Sequence, residues 1–256
     1  MLTTLKRTLL FCAALVIPFQ TAQSEEIILF SAATLQNAID EINVSFENAH
    51  PGTKIVASYN SASNLSRQIV EGAPAHLFIS ANERWMNYLA EKDEIDPESR
   101  AYIVKNELAV ITHKDNPDIE IDFNSKSFWE NALKNTRLAI GDPDHVPGGM
   151  YVKESFTNLG IWDVVERKVA ASPTIRAALV LVERKESDLG IVYLSDVVIS
   201  DKVKILAKMP EGVHAPIDFP IALVGKNPSE MAKTYYHYLL SDESKAVFKK
   251  HGFSTP

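Results

Sequence analysis

The chain has 256 residues, of which 46% are hydrophobic, 23% are charged and 9% are aromatic. This composition is typical of a globular protein with a sizeable core, and it excludes disordered and collagen-like chains. Since no internal repeat is found, solenoid architectures are excluded as well. The formal net charge is −7 and the basic residues are scattered along the chain, so a nucleic-acid partner is not expected.

The first 24 residues have the layout of a secretory signal peptide. Lys6 and Arg7 precede an apolar run at residues 9–19, and small and polar residues follow up to Ser24. The alternative is a transmembrane anchor, but the run contains Pro18 and is shorter than the roughly 20 residues that a span requires. We therefore predict cleavage after Ser24.

The only cysteine of the chain, Cys12, lies inside this apolar run. It follows Phe11 rather than a small residue, so it is a poor lipid-attachment site and is expected to leave with the signal peptide. A mature chain without cysteine forms no disulfide and has no thiol nucleophile. Its stability must therefore come from the core.

Short apolar runs of strand-forming residues alternate with helical patterns in two series along the mature chain. This alternation is typical of βαβ units on a parallel sheet. The first series predicts strands at 27–30, 54–57 and 77–79 and helices at 35–49, 64–71 and 82–91. The second series predicts strands at 137–140, 190–192 and 203–206 and helices at 148–159 and 175–185.

Two lone strands separate and follow these series. They are predicted at 107–111 and 219–224, and the second is followed by helices at 228–240 and 242–250. Two connections near residues 105 and 217 would form a double hinge. We therefore predict an α/β fold of two three-layer lobes, with 25–105 plus 217–256 in lobe one, 106–216 in lobe two and a ligand cleft between them. The alternative, a single doubly wound domain, is disfavoured by the length of the chain.

Four junctions between a predicted strand and a following helix are rich in small, hydroxyl or glycine residues. In α/β sheets ligands bind beyond the carboxyl ends of strands, where the unpaired N–H groups of helix starts attract anions. The junctions lie at 30–35, 59–65, 141–149 and 172–176. Ordinary N-capping explains any one of them, but two in each half favour an anion-binding cage. Tyr193, directly after a strand, is either a further donor or a packed aromatic residue.

An enzymatic function is less well supported. Asp142, Asp144 and His145 are candidate metal ligands or acid–base groups, but their segment is equally typical of a turn. The seven histidines form no second cluster with ligand spacing. No Gly-x-Ser-x-Gly, Walker or dinucleotide motif is present. We therefore expect no enzyme, with a secreted metal-dependent hydrolase as the alternative.

Several motifs resemble those of the periplasmic molybdate-binding proteins of ABC importers, which have the type II periplasmic binding-protein fold. The resemblance runs from about Ile27 to Phe253. It is carried by residues 30–35, 67–69, 72–75, 77–81, 141–143, 145–147, 181–184 and 190–193. Because these separate motifs occur in the family's order, the resemblance is specific.

The resemblance implies five oxyanion-binding positions. The hydroxyl residue after the first strand falls on Thr34, where serine is usual in the family. The second family serine falls on Ala62, which keeps the backbone N–H but lacks the hydroxyl. The backbone donors of the second half fall on Gly148 and Ile175, and the family tyrosine falls on Tyr193.

The departure from the family pattern at Ala62 leaves two alternatives open. In the first, Ser61 or Ser63 supplies the missing hydroxyl. In the second, no side chain replaces it and the affinity for the oxyanion is lower.

The resemblance also implies a role in uptake. A monomeric receptor in the periplasm would bind molybdate or tungstate and deliver it to an inner-membrane ABC permease driven by a cytoplasmic ATPase. Molybdenum would enter only as the bound oxyanion, and no further cofactor is implied. Selectivity over sulfate is expected from cavity size, because both dianions offer the same acceptors. A receptor for sulfate or another tetrahedral oxyanion is the alternative.

Overall fold

Ten strands and ten α-helices make up residues 25–256, the part of the chain that the computed structural model describes. The strands are β1 (Glu25–Ala32), β2 (Thr53–Asn60), β3 (Leu77–Ile79), β4 (Ala101–Asn106), β5 (Leu108–His113), β6 (Leu138–Gly141), β7 (Val169–Ser172), β8 (Leu189–Tyr193), β9 (Val203–Lys208) and β10 (Ile217–Leu223). The helices are α1 (Gln36–Ala49), α2 (Ala62–Val70), α3 (Glu83–Ala90), α4 (Lys126–Ala132), α5 (Pro147–Asn158), α6 (Trp162–Val165), α7 (Ile175–Glu183), α8 (Leu194–Val198), α9 (Glu230–Leu239) and α10 (Asp242–Lys250). The predicted signal peptide, with Cys12, lies outside the described residues.

The strands form two five-stranded mixed sheets. The first has the order β2-β1-β3-β10-β4, in which β1 is parallel to β2 and β3 while β10 is antiparallel to both of its neighbours. The second has the order β7-β6-β8-β5-β9, in which β6 is parallel to β7 and β8 while β5 is antiparallel to both of its neighbours. We call the first sheet with its helices lobe one and the second sheet with its helices lobe two.

The chain passes between the two sheets twice. It leaves the first sheet after Asn106, enters the second at Leu108, and returns between Lys208 and Ile217. The predicted fold class, two α/β lobes with a double connection, is confirmed. The parallel sheets expected from the strand–helix alternation are instead mixed, because the strands next to the crossings, β4, β5, β9 and β10, pair antiparallel.

Buried faces of the helices and strands build the core of each lobe. Helix α1 buries Ala38, Ile39, Ile42 and Phe46, which recur at the three- and four-residue spacing of one helical face. Central strands such as β8 are buried along their whole length, as expected for a strand covered on both faces. Within residues 25–256, no helix is both long and apolar enough to span a bilayer.

Several short elements were not predicted from the sequence. Strands β4 and β7 lie at sheet edges, where solvent on one side weakens the apolar signal, and Tyr102 of β4 is 48% exposed. Helices α4, α6 and α8 have only four to seven residues. The elements that were predicted end within a few residues of their observed bounds.

Candidate anion-binding site

A small cavity lies between the lobes, at the edge where strands of both sheets end. Its walls are residues 32–34, 60–62 and Ala81 of lobe one, and residues 146–148, 174–175 and Tyr193 of lobe two. The cavity has a volume of about 20 Å³, and one water needs roughly 10–15 Å³. The cavity therefore fits a ligand of only a few non-hydrogen atoms.

Lobe one contributes the starts of two helices to the cavity. Thr34 lies in the 3₁₀ turn Ala33–Leu35 that leads into α1, and it is buried. Ala62 is the first residue of α2, and Ser61 caps this helix by accepting a hydrogen bond from the N–H of Asn64 at 3.4 Å. The first N–H groups of a helix have no partner within it. The N–H of Ala62 is thus placed to serve a ligand.

The three residues at the start of α2 differ in what they contact. Ala62 is fully buried, lines the cavity and packs in an apolar cluster with Phe30 and Leu65. Ser61 also lines the cavity, and its Oγ lies 3.0 Å from the Oγ of Ser63. Ser63 is buried behind Ser61, away from the cavity wall. Of the two serines considered as substitutes for the missing hydroxyl, Ser61 is the one at the cavity.

Lobe two contributes two further helix starts. Gly148 is the second residue of α5, and Ile175 is the first residue of α7, whose N-cap Thr174 accepts a hydrogen bond from the N–H of Ala177 at 3.1 Å. A Cβ on Gly148 would lie 2.5 Å from Cδ1 of Ile175 and 3.4 Å from Cζ of Tyr193. The absence of a side chain therefore lets these three residues meet closely around the cavity.

Tyr193 brings a phenol to the cavity from the end of β8. The residue is 1% exposed, and its ring packs edge-on against Phe219 at 5.7 Å between centroids. Among the described residues, no group accepts a hydrogen bond from its buried hydroxyl. Burial raises the pKa of this phenol well above its usual value, so the group remains a donor. A buried donor without an acceptor is costly, and a ligand acceptor in the cavity would satisfy it.

The cavity wall is largely aliphatic, has a few polar groups such as those of Ser61 and Tyr193, and carries no formal charge among the described residues. Next to the wall residues Ile175 and Thr34 lies an ion pair, in which Arg176 Nε is 3.1 Å from Asp196 Oδ1. Thr34 also donates its hydroxyl proton to this oxygen, at 2.7 Å. Because the pair is neutral overall, the groups available to a ligand are backbone N–H groups and hydroxyls. Helix-start N–H groups and hydroxyl protons favour an anion as the ligand.

A second set of contacts joins the lobes at the rim of the cleft. Trp85 of α3 donates from Nε1 to the carbonyl oxygen of His145 at 3.0 Å, and a terminal nitrogen of Arg67, in α2, lies 3.5 Å from Nδ1 of the same histidine. Trp85 is itself buried. Its role in joining the lobes had no sequence signal, because its partner is a backbone carbonyl.

The three residues considered for metal or acid–base chemistry have structural partners. Asp142 Oδ1 accepts hydrogen bonds from the N–H groups of Asp144 and His145, which closes a turn before α5. Asp144 also pairs with Lys153 at 2.7 Å. In residues 25–256, no group of three or more His, Cys, Asp or Glu side chains is arranged to hold a metal ion. Residues 142–145 therefore form a turn, which was the alternative to a metal or acid–base site in the sequence analysis.

Comparison with known proteins places the chain in a family. The profile of the family described as bacterial extracellular solute-binding protein matches residues 27–254. The chain belongs to this family. This solute-binding protein is 41% identical over 233 residues to the molybdate-binding protein ModA of Escherichia coli, covering 91% of this chain and 90% of the relative. It is 37% identical over 236 residues to ModA of Haemophilus influenzae, covering 92% of each.

A solved structure supports the same assignment of fold. The periplasmic molybdate-binding protein of Azotobacter vinelandii superposes on this solute-binding protein with a TM-score of 0.72 and 21% identity, covering 90% of this chain and 99% of that chain. At this identity the likeness shows the fold alone. Together with the two sequence relatives, it confirms the resemblance inferred from the motifs.

Proposed function

We propose that this solute-binding protein is a receptor for molybdate, and for tungstate through the same geometry. The observation that carries the proposal is the buried hydroxyl of Tyr193, which has no acceptor among the described residues and lies at a cavity of about 20 Å³. The helix starts around it add neutral N–H donors from both lobes. A small oxyanion has several oxygen acceptors and satisfies such donors at once. The names of the two sequence relatives support molybdate as the anion.

The residues proposed to bind the anion are those that the sequence singled out. They are Thr34, Ala62, Gly148, Ile175 and Tyr193, and all five line the cavity. Ser61 is the additional hydroxyl donor that we favour, because it lines the cavity and Ser63 lies behind it.

We further propose that the lobes close around the anion about a double hinge. Lobe one would comprise 25–105 with 217–256, and lobe two would comprise 106–216. Because cavity residues come from both lobes, separating the lobes would open the cavity to solvent. A hinge of this kind is a common way for a protein to enclose a ligand.

The cellular role that we propose is uptake. The signal peptide would be cleaved after Ser24, and the monomeric receptor would carry the anion through the periplasm to an inner-membrane ABC permease with its cytoplasmic ATPase. The protein would carry out no catalysis, which agrees with the structural partners of Asp142, Asp144 and His145.

A thermal-shift panel of the mature chain with molybdate, tungstate, sulfate, phosphate and chromate tests the proposal. Molybdate and tungstate are expected to raise the melting temperature far more than the other anions do, because ligands that bind only the folded state stabilise it. Equal stabilisation by sulfate would favour a general oxyanion receptor, and competition between sulfate and molybdate at equal concentration would measure the preference. No stabilisation by molybdate would refute the proposal.

The hydrolase alternative has its own test. We expect metal analysis of the purified protein to find no stoichiometric bound cation, and His145→Ala to leave anion binding intact. Stoichiometric metal that is lost in His145→Ala would favour the enzyme instead.

A further inference from the structure

A hydrogen-bonded bridge joins the lobes directly behind the cavity wall. Thr34 of lobe one donates its hydroxyl proton to Oδ1 of Asp196 of lobe two, at 2.7 Å. Arg176 of lobe two donates from Nε to the same oxygen at 3.1 Å and from a terminal nitrogen to the carbonyl oxygen of Thr34 at 2.8 Å. We call these three residues the interlobe clasp.

The clasp is shielded from water. Asp196 is fully buried, and the side chain of Arg176 is 17% exposed. Burial raises the pKa of the Asp196 carboxyl, and the charge of Arg176 opposes this effect. A buried charge that loses its partners is strongly destabilising. Because the partner Thr34 lies on the other lobe, the clasp is complete only when the lobes are together.

The hydroxyl of Thr34 has a single proton, and its hydrogen bond to Asp196 occupies that proton. Oδ1 of Asp196 accepts a hydrogen bond from Nε of Arg176, so this oxygen is the acceptor for the Thr34 hydroxyl as well. The proton of Thr34 therefore points to Asp196, while Thr34 itself remains in the cavity wall.

We propose that Asp196 is a positioning residue that holds the lobes closed around the anion, and that the Thr34 hydroxyl acts through Asp196 while the Thr34 backbone N–H serves the anion. This inference rests on the proposed function, since it concerns the same cavity. Both lobe-two members of the clasp adjoin cavity residues: Arg176 follows Ile175, and Asp196 lies in the helix whose N-cap is Tyr193. Opening the clasp thus displaces cavity donors directly.

A double-mutant cycle distinguishes a clasp from a direct bond between the hydroxyl and the anion. Thr34→Val and Asp196→Ala are made singly and together, and the dissociation rate of molybdate is measured by stopped-flow tryptophan fluorescence. We expect Thr34→Val to raise this rate about tenfold in the parent chain and by a much smaller factor in the Asp196→Ala chain, where the Thr34 hydroxyl keeps only its 3.2 Å contact with Ser195 Oγ. The same factor in both chains would mean that the hydroxyl contacts the anion directly, and would overturn the proposal.

A matched control removes a similar bond that stays within one lobe. Glu183, on the same helix as Arg176, accepts a hydrogen bond from Ser200 Oγ at 2.6 Å. We expect Glu183→Ala to leave the dissociation rate unchanged. If Glu183→Ala raises the rate as much as Thr34→Val does, the effect is a general loosening of lobe two and the clasp is refuted. Asp196→Leu, which keeps a similar side-chain volume but has no acceptor for Thr34 or Arg176, replaces Asp196→Ala if the alanine variant does not fold.

The separation of the lobes provides a readout that does not depend on molybdate. The only cysteine of the chain lies in the predicted signal peptide, so Glu91→Cys in lobe one and Glu130→Cys in lobe two allow paired spin labels. We expect Asp196→Ala, or Asp196→Leu in its place, to widen the distance distribution, and an unchanged distribution, with and without anion, would overturn the clasp. A parent chain that does not bind molybdate would refute the proposed function alone, because the distance measurement would still test the clasp.

Discussion

Replacing Tyr193 with phenylalanine is expected to weaken anion binding without weakening the fold. The hydroxyl is buried and has no acceptor among the described residues, so its removal costs the anion-free protein no internal hydrogen bond. The bound anion would lose one donor, which is worth about 1–3 kcal/mol, or roughly five- to a hundredfold in Kd. Titration calorimetry with molybdate measures this loss.

Thermal unfolding of the same variant supplies the second half of the prediction. Without anion, Tyr193→Phe is expected to melt at the parent temperature or above it, because an unsatisfied buried polar group is removed. Each kcal/mol corresponds to about 2–4 °C for a chain of this size. An unchanged affinity for molybdate would refute the reasoning, since it would show that the phenol does not contact the anion.

Tyr236 offers a matched control for this experiment. Its buried hydroxyl donates to the carbonyl oxygen of Ser99 at 2.5 Å, within lobe one. Tyr236→Phe should therefore lower the melting temperature and leave the affinity unchanged, which is the opposite pattern. If both variants lose affinity equally, the loss at Tyr193 is a stability effect and not a ligand contact.

Three further predictions concern the same cavity. Ala62→Ser should raise the affinity for molybdate by about two- to tenfold in calorimetry, because it adds a hydroxyl at a helix start. If Ala62→Ser gains no affinity and Ser61→Ala loses affinity, Ser61 already supplies the hydroxyl. The affinity should stay constant from about pH 7 to pH 9.5, because the raised pKa of Tyr193 keeps the phenol protonated beyond the usual range for tyrosine; a fall near pH 9 in a calorimetric pH series would contradict this. Trp85→Phe, which removes the bond to the carbonyl of His145, should raise the dissociation rate about two- to tenfold in stopped-flow measurements; an unchanged rate would show that this rim contact does not hold the lobes.

Local patterns in the sequence predict the fold class and the positions of the helix starts. The useful features are local: strand–helix alternation, amphipathic spacing such as that of α1, and capping residues such as Ser61 and Thr174. Because each of them involves residues close together in the chain, they can be recognised without a structure. The junctions selected from these features are the segments that meet at the cavity. The edge strands β4 and β7 were not predicted, because these short and partly exposed segments lack a clear apolar pattern.

The hydrogen-bond partners across the cleft could not be predicted from the sequence. Asp196 accepts the hydroxyl proton of Thr34 from 162 positions away in the chain, and Trp85 donates to a backbone carbonyl of the other lobe. The sequence also did not show that the hydroxyl of Tyr193 lacks an acceptor, since a tyrosine after a strand is a packed aromatic residue as often as it is a ligand donor. Each of these features depends on how two separately folded sheets lie against one another, and no local periodicity encodes that arrangement.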